Sequence, residues 1–165
     1  MKTLPILLLL AFGLLSCTQK SDSAAELKSK IAELQTQLDN SYKPGLGEFM
    51  SGIQVHHAKL YFAGTNENWE LADFEIHEIM ESLEDIPKYC ADREEVKDIH
   101  IIDPAIDSVS EAIRMKDIVM FKKTYSLLTN TCNDCHKATK HGFIVVKIPD
   151  SPMISNQDFR KILLK

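Results

Sequence analysis

Residues 117–140, DIVMFKKTYSLLTNTCNDCHKATK, decide the fold, because their apolar residues recur every three or four positions. The segment predicts a helix from Ile118 to about Lys140. Asp117 precedes it, where a carboxylate accepts hydrogen bonds from first-turn N–H groups, and Gly142 is expected to end it. Its apolar face comprises Ile118, Phe121, Tyr125, Leu128, Cys132 and Cys135.

Three more segments upstream show the same helical periodicity, at about 47–62, 67–85 and 104–115. The second has an apolar stripe formed by Trp69, Ala72, Ile76, Ile79, Met80, Leu83 and Ile86. Pro87 is expected to end that helix, and Asp103 is expected to cap the next one, with Pro104 in its first turn. The sequence therefore predicts an all-α fold, an antiparallel four-helix bundle over residues 45–142.

The loop between the second and third predicted helices, residues 88–102, and the C-terminal residues are expected to lack helices. The stretch from Lys88 to Ile102 is charged and without a clear period. The tail, residues 143–165, combines a β-branched run with two prolines. It is therefore predicted to be extended and packed on the bundle.

The N-terminus is typical of an export signal, predicted to cover residues 1–16. One lysine precedes an apolar run from Leu4 to Leu15, which is shorter than the roughly 20 residues that a spanning helix needs. Residues 14–17, LLSC, look like the lipobox of bacterial lipoproteins. That likeness implies lipidation of Cys17 and a periplasmic or cell-surface location on a membrane. The alternative is an ordinary cleaved signal that leaves a free thiol.

Residues 17–44 are predicted to form a lipidated linker and a short stalk helix. Ser23 and Glu26 suggest a capping box ahead of a heptad-like seam of Leu27, Ile31, Leu34 and Leu38. Three apolar turns are few for a coiled coil, so a solvated spacer and a homodimer through this helix both remain open.

Composition bears on the possible partners and on the size of the core. The 165 residues carry a formal net charge of −5, which argues against a nucleic-acid partner. The hydrophobic fraction of 44% is sufficient for one core.

The pattern CNDCH at residues 132–136 is the attachment signature of c-type haem. On a helix, Cys132 and Cys135 share one face, so two thiols can add to the two vinyl groups of one porphyrin. His136 follows immediately and can bind the iron as the proximal axial ligand. The motif predicts one covalent haem c.

Three other interpretations of these cysteines remain open. A disulfide between Cys132 and Cys135 would be strained within a helix, and a thioredoxin-type redox pair needs a βαβ setting that this sequence lacks. A zinc site could use Cys132, Cys135 and His141 together with either His136 or Cys90.

A haem signature near the end of the last helix of a small bundle resembles the cytochromes c prime. The likeness covers about residues 45–142, and only Cys132, Cys135 and His136 carry over as site residues. The segments HHAKLYFAG (56–64), NWELADFE (68–75) and SNQDF (155–159) are, in addition, similar to small bacterial haem-binding proteins. These resemblances imply haem binding and leave the physiological role open.

The sixth ligand of the iron should come from the first bundle helix, whose early turns would lie beside His136 in an antiparallel bundle. His57 lies within the apolar band of that helix, and a buried imidazole needs a partner. His57 is therefore the first candidate as distal ligand and metal-binding residue, and Met50 is the second. A hydrogen-bonded core histidine and an open sixth position are the alternatives.

These features predict a non-enzymatic one-electron carrier that is anchored by its lipid and exchanges electrons with redox partner proteins. A haem protein that binds or senses small gases, such as NO or CO, is the second hypothesis, and it requires a vacant sixth position. A zinc-binding lipoprotein is a distant third.

Overall fold

The computed structural model describes residues 18–161, with side chains from Ser23 onward, and the regular structure in this part of the chain is helical, with no β-strand. Its elements are α1 (Thr18–Asp39), α2 (Leu46–Thr65), α3 (Trp69–Tyr89), a 3₁₀ helix (Glu94–Ile102), α4 (Asp103–Met115) and α5 (Ile118–Ala138). The predicted all-α class is confirmed. Among the described residues, no helix is both long and apolar enough to cross a membrane.

The chain divides into two compact units between Lys43 and Pro44. The described part of the first unit contains α1, and its apolar seam is 54–63% exposed at all four positions. The predicted capping box is wrong, because the helix already includes Thr18 and Ser23 therefore lies inside it rather than at its start.

In the second unit, α2 and α3 pack in opposite directions. The rings of Phe49 and Tyr89 stack with centroids 6.1 Å apart, whereas His56, later on α2, contacts Glu75, earlier on α3, at 2.7 Å. The predicted stripe on α3 is confirmed as a packing face. Trp69, Ala72, Ile76, Ile79 and Ile86 are buried, and Met80 and Leu83 pack against them.

Helix α5 crosses the same core in the opposite direction to α2. A Cβ placed on Gly64 would lie 2.1 Å from the ring of Phe121, and His57 contacts Thr129 at 3.0 Å. Residues closer to the N-terminal end of α2 thus contact residues closer to the C-terminal end of α5. Helix α4 packs on both α3 and α5.

The structure differs from the prediction in two places, at the end of α3 and in the stretch that follows it. Pro87 lies inside this helix, which continues to Tyr89. A proline in the last turn removes only one hydrogen bond, and burial of Ile86 and Cys90 holds that turn against the core. The stretch expected to be irregular contains the 3₁₀ helix, because Ile99 and Ile102 give it one buried face.

At the boundaries of α4 and α5, one prediction is confirmed and two are wrong. Asp117 caps α5 by accepting hydrogen bonds from the N–H groups of Val119 and Met120. Asp103 does not cap α4. It is already the first helical residue, and its carboxylate contacts His100 at 3.0 Å. Helix α5 ends at Ala138, well before Gly142, and Lys140 adopts the left-handed conformation with φ 64°.

The described part of the tail has no regular element and is attached to the helices at its far end. Phe159 is buried, and its ring lies 5.7 Å from that of Phe62. The side-chain amide of Asn68 donates to the carbonyl oxygen of Arg160 at 3.1 Å. The tail therefore crosses the second unit as non-helical chain.

Candidate functional site

The two cysteines of the CNDCH motif lie in the last turns of α5, and both are free thiols. Cys132 packs against the core, and burial raises the pKa of its thiol to about 11. Cys135 is more open. Its pKa is also raised, first by burial and then by the charge of Asp98, and its Sγ lies 4.0 Å from the carbonyl oxygen of Asp98. Both sulfurs therefore carry their protons at neutral pH.

His136 makes one hydrogen bond that fixes its tautomer. Its Nδ1 lies 2.8 Å from the carbonyl oxygen of Ile144. Because a carbonyl oxygen only accepts, Nδ1 must carry the proton, and the lone pair of the neutral imidazole is on Nε2. Among the described residues, Nε2 has no hydrogen-bond partner, so it could bind a metal.

Asn133, between the two cysteines, attaches the same downstream segment to α5. Its side-chain N–H donates to the carbonyl oxygen of Val146 at 2.8 Å, and its Oδ1 accepts from the N–H of Val146 at 2.8 Å. A cleft of about 420 Å³ lies beside these contacts. It is lined by Asn130, Asn133, Asp134, Lys137, Gly142, Ile144 and Val145.

His57 is buried, and both of its ring nitrogens have protein partners. Nδ1 lies 2.9 Å from the hydroxyl of Tyr125, and Nε2 lies 3.0 Å from the hydroxyl of Thr129. Burial lowers the pKa of His57 to about 4 and raises that of Tyr125 above its usual range. These contacts are those of a hydrogen-bonded core histidine. Ligation of an iron by His57 stays a prediction, and it would require loss of one of these hydrogen bonds.

The antiparallel register of α2 and α5 relates Met50 to His136. His57 and Thr129 are in contact. Seven residues toward the start of α2 lead to Met50, and seven residues toward the end of α5 lead to His136. Each step is two helical turns, or about 10 Å. Met50 and His136 are therefore at about the same height along the antiparallel pair of α2 and α5. Met50 is half-buried and packs against the core.

The residues of the zinc hypothesis are not brought together. Within residues 18–161, no group of three or more histidine, cysteine, aspartate or glutamate side chains is arranged to hold a metal ion. Cys90 is buried at the end of α3, with its Sγ 3.7 Å from the carbonyl oxygen of Pro44. His141 instead contacts the carbonyl oxygen of Thr139 at 2.8 Å and Glu95 at 3.9 Å.

Glu75 is a buried charged residue that is not among the predicted site residues. Its carboxylate lies 2.7 Å from Nδ1 of His56 and 3.8 Å from Nζ of Lys59. One oxygen, Oε1, has no hydrogen-bond partner among the described residues. The signal was present in the sequence, because Glu75 falls within the apolar stripe of α3 and interrupts it with a charge.

The predicted signal peptide and Cys17 lie outside the described residues. No protein-family model, curated protein or solved structure matches this chain. The CNDCH motif and the geometry of the side chains around it are therefore the features that indicate a function.

Proposed function

We propose that this chain is a c-type cytochrome that carries single electrons, with one haem bonded to Cys132 and Cys135 and bound axially by His136. One observation carries the proposal. The Nδ1–H group of His136 donates to the carbonyl oxygen of Ile144, so Nε2 is the nitrogen that could bind a metal. His136 directly follows Cys135, the second of two free cysteines.

The donor set fits a covalent haem. Two thiols three residues apart on α5 suit the two vinyl groups of one porphyrin, and the adjacent imidazole suits its iron. When bound, the haem supplies a one-electron couple. The protein holds it through the cysteines, while the hydrogen bond from His136 to Ile144 orients the imidazole and increases its basicity.

The register of α2 favours Met50 as the distal ligand. Met50 is at about the same height as His136 along the pair of α2 and α5, whereas His57 lies two turns away and uses both nitrogens in hydrogen bonds. A thioether ligand raises the reduction potential relative to a second imidazole. We therefore take Met50 as the distal residue that requires the least rearrangement.

The proposal includes an architecture and a location. Helices α2 to α5 form an antiparallel four-helix bundle with the haem at the end where α5 finishes. The chain is exported, and lipid on Cys17 holds it at the periplasmic or cell-surface side of a membrane. There it exchanges electrons with redox partner proteins.

Gas binding is the second candidate, and one observation favours it. Because both nitrogens of His57 have partners, a haem here would lack a histidine on its distal side. If Met50 does not bind, the sixth position is open to NO or CO.

Expression of the exported chain in a host that matures c-type cytochromes tests the attachment. The pyridine haemochrome spectrum of the purified protein should be that of a haem with two thioether bonds. Cys132→Ala and Cys135→Ala should each leave one vinyl group unreacted and shift this spectrum. Cys90→Ala, which changes a buried cysteine outside the motif, should leave it unchanged. A spectrum insensitive to either motif substitution would contradict the proposal.

The visible spectrum with and without CO separates the two functions. A low-spin iron that does not react with CO, and that becomes high-spin in Met50→Ala, supports the carrier. A high-spin iron that binds CO at once supports the gas-binding protein. An unchanged low-spin spectrum in Met50→Ala would remove Met50 as a ligand.

A further inference from the structure

Three hydrogen bonds attach residues 144–146 to the CNDCH motif. Asn133 makes two of them, one to the carbonyl oxygen and one to the N–H of Val146. His136 makes the third, through Nδ1, to the carbonyl oxygen of Ile144. All three are 2.8 Å long. Two residues of the motif, about one helical turn apart on α5, therefore hold the same short segment.

Side-chain packing contributes little to holding this segment. Ile144 is 47% exposed and Val145 is 74% exposed, and the segment belongs to no helix or strand. A turn bond from the N–H of Ile144 to the carbonyl oxygen of His141 limits it on the N-terminal side. On the C-terminal side, the hydrogen bonds to Asn133 are what fix its position.

An asparagine amide is suited to this task. It offers one donor and one acceptor in a single plane, and it can therefore pair with both polar groups of one residue as a neighbouring strand would. Alanine would remove both hydrogen bonds. Aspartate would keep the acceptor for the N–H of Val146 and lose the donor to its carbonyl oxygen.

We propose that Asn133 is a positioning residue for the axial histidine: by clamping Val146 it holds the carbonyl oxygen of Ile144 against Nδ1 of His136. This inference rests on the proposed function. It assigns a role to one of the two residues between the cysteines, which the attachment chemistry itself does not use.

The clamp has a consequence for the reduction potential. Donation from Nδ1 to a carbonyl makes Nε2 a stronger donor to the iron, and a stronger donor stabilises the ferric state. If the Ile144 carbonyl moves away, the donor weakens and the ferric state loses stabilisation. Loss of the clamp is therefore expected to raise the potential.

Asn133→Ala in the haem-loaded full chain tests the proposal, with Asn130→Ala as the matched control. Asn130 is an exposed asparagine on the same cleft, one turn earlier on α5. In Asn133→Ala, the Val146 amide should exchange its hydrogen about tenfold faster, and the midpoint potential should shift upward. Asn133→Asp, which keeps the acceptor for the Val146 N–H, should show an exchange rate between those of Asn133→Ala and the wild type. Asn130→Ala should change neither quantity.

Two results would overturn the inference while the proposed function stands. One is an unchanged exchange rate at Val146 in Asn133→Ala. The other is faster exchange with an unchanged potential, because the clamp would then not act on the histidine.

A colourless wild-type protein would defeat the proposed function, and the clamp would still be tested. The ¹⁵N chemical shifts of His136 should report a proton on Nδ1 in the wild type and in Asn130→Ala. A mixture of tautomers in Asn133→Ala supports the positioning role, and an unchanged Nδ1–H tautomer overturns it.

Discussion

Two histidines on the helices of this protein differ in the number of ring nitrogens that the protein occupies. His57 uses both, through Tyr125 and Thr129, whereas the one hydrogen bond that fixes the tautomer of His136 is made by Nδ1. Residue type does not separate a core histidine from a candidate axial ligand. The lone pair on Nε2 of His136 does, because it has no hydrogen-bond partner among the described residues and only such an unprotonated nitrogen can bind iron.

The buried imidazole of His57 should make stability depend on pH. The pKa of His57 is lowered from 6.5 to about 4 in the folded chain, so between these values the unfolded state binds more protons. Stability should therefore fall as pH falls from about 6.5 toward 4, by up to about 3 kcal/mol. Urea unfolding at pH 7, 6 and 5 measures this.

The matched comparison for this pH effect uses two histidine variants. His57→Gln should flatten the dependence between pH 7 and 5, while His77→Gln, at an exposed histidine of α3, should keep the wild-type slope. Equal slopes in the wild type and His57→Gln would show that His57 is not the titrating group.

At the scale of the elements, the sequence predicted the helices well and their ends less well. The stripe from Trp69 to Ile86 is local information, because the period of a helix determines which side chains share a face. The extension of α3 past Pro87 and the 3₁₀ helix depend on burial of Ile86 and Ile99 against other elements. Packing of that kind is not encoded in a local pattern.

The crossing of α2 and α5 depends on a glycine. A Cβ on Gly64 would lie 2.1 Å from the Phe121 ring, so Gly64→Ala should push the helices apart and destabilise the chain by about 1–3 kcal/mol. Gly52→Ala is the control on the same helix, because nothing lies within 4 Å of its Cβ position. It should be neutral or stabilising by up to about 1 kcal/mol. Thermal unfolding measures both, and equal effects would contradict this account of the crossing.

In the whole molecule, the CNDCH motif is visible in the sequence, but the contacts that the fold makes around it could not be predicted from the sequence. The partners of His57 are 68 and 72 residues away along the chain. The contact between Asn133 and Val146 also joins a helix to a tail without regular structure. Long-range contacts of this type depend on helix register, which no local pattern specifies. The proposal of Met50 rather than His57 as distal ligand depends on the same register.

The division between Lys43 and Pro44 predicts that the second unit is stable by itself. A chain that begins at Pro44 should unfold within about 1 kcal/mol of the full chain in urea. A chain that begins at Ser51 loses core-packing side chains of α2, among them Phe49 and Met50, and should be clearly less stable. A large loss of stability in the Pro44 variant would show that α1 supports the rest of the fold.

The central claim is that a porphyrin is bonded to Cys132 and Cys135. Extraction of the purified, exported protein with acidified acetone tests it most directly, because thioether bonds survive this treatment whereas axial ligation does not. The account predicts that the red pigment remains with the protein pellet and that the intact mass exceeds that of the polypeptide by one haem. A colourless protein, or pigment that passes into the acetone, would contradict it.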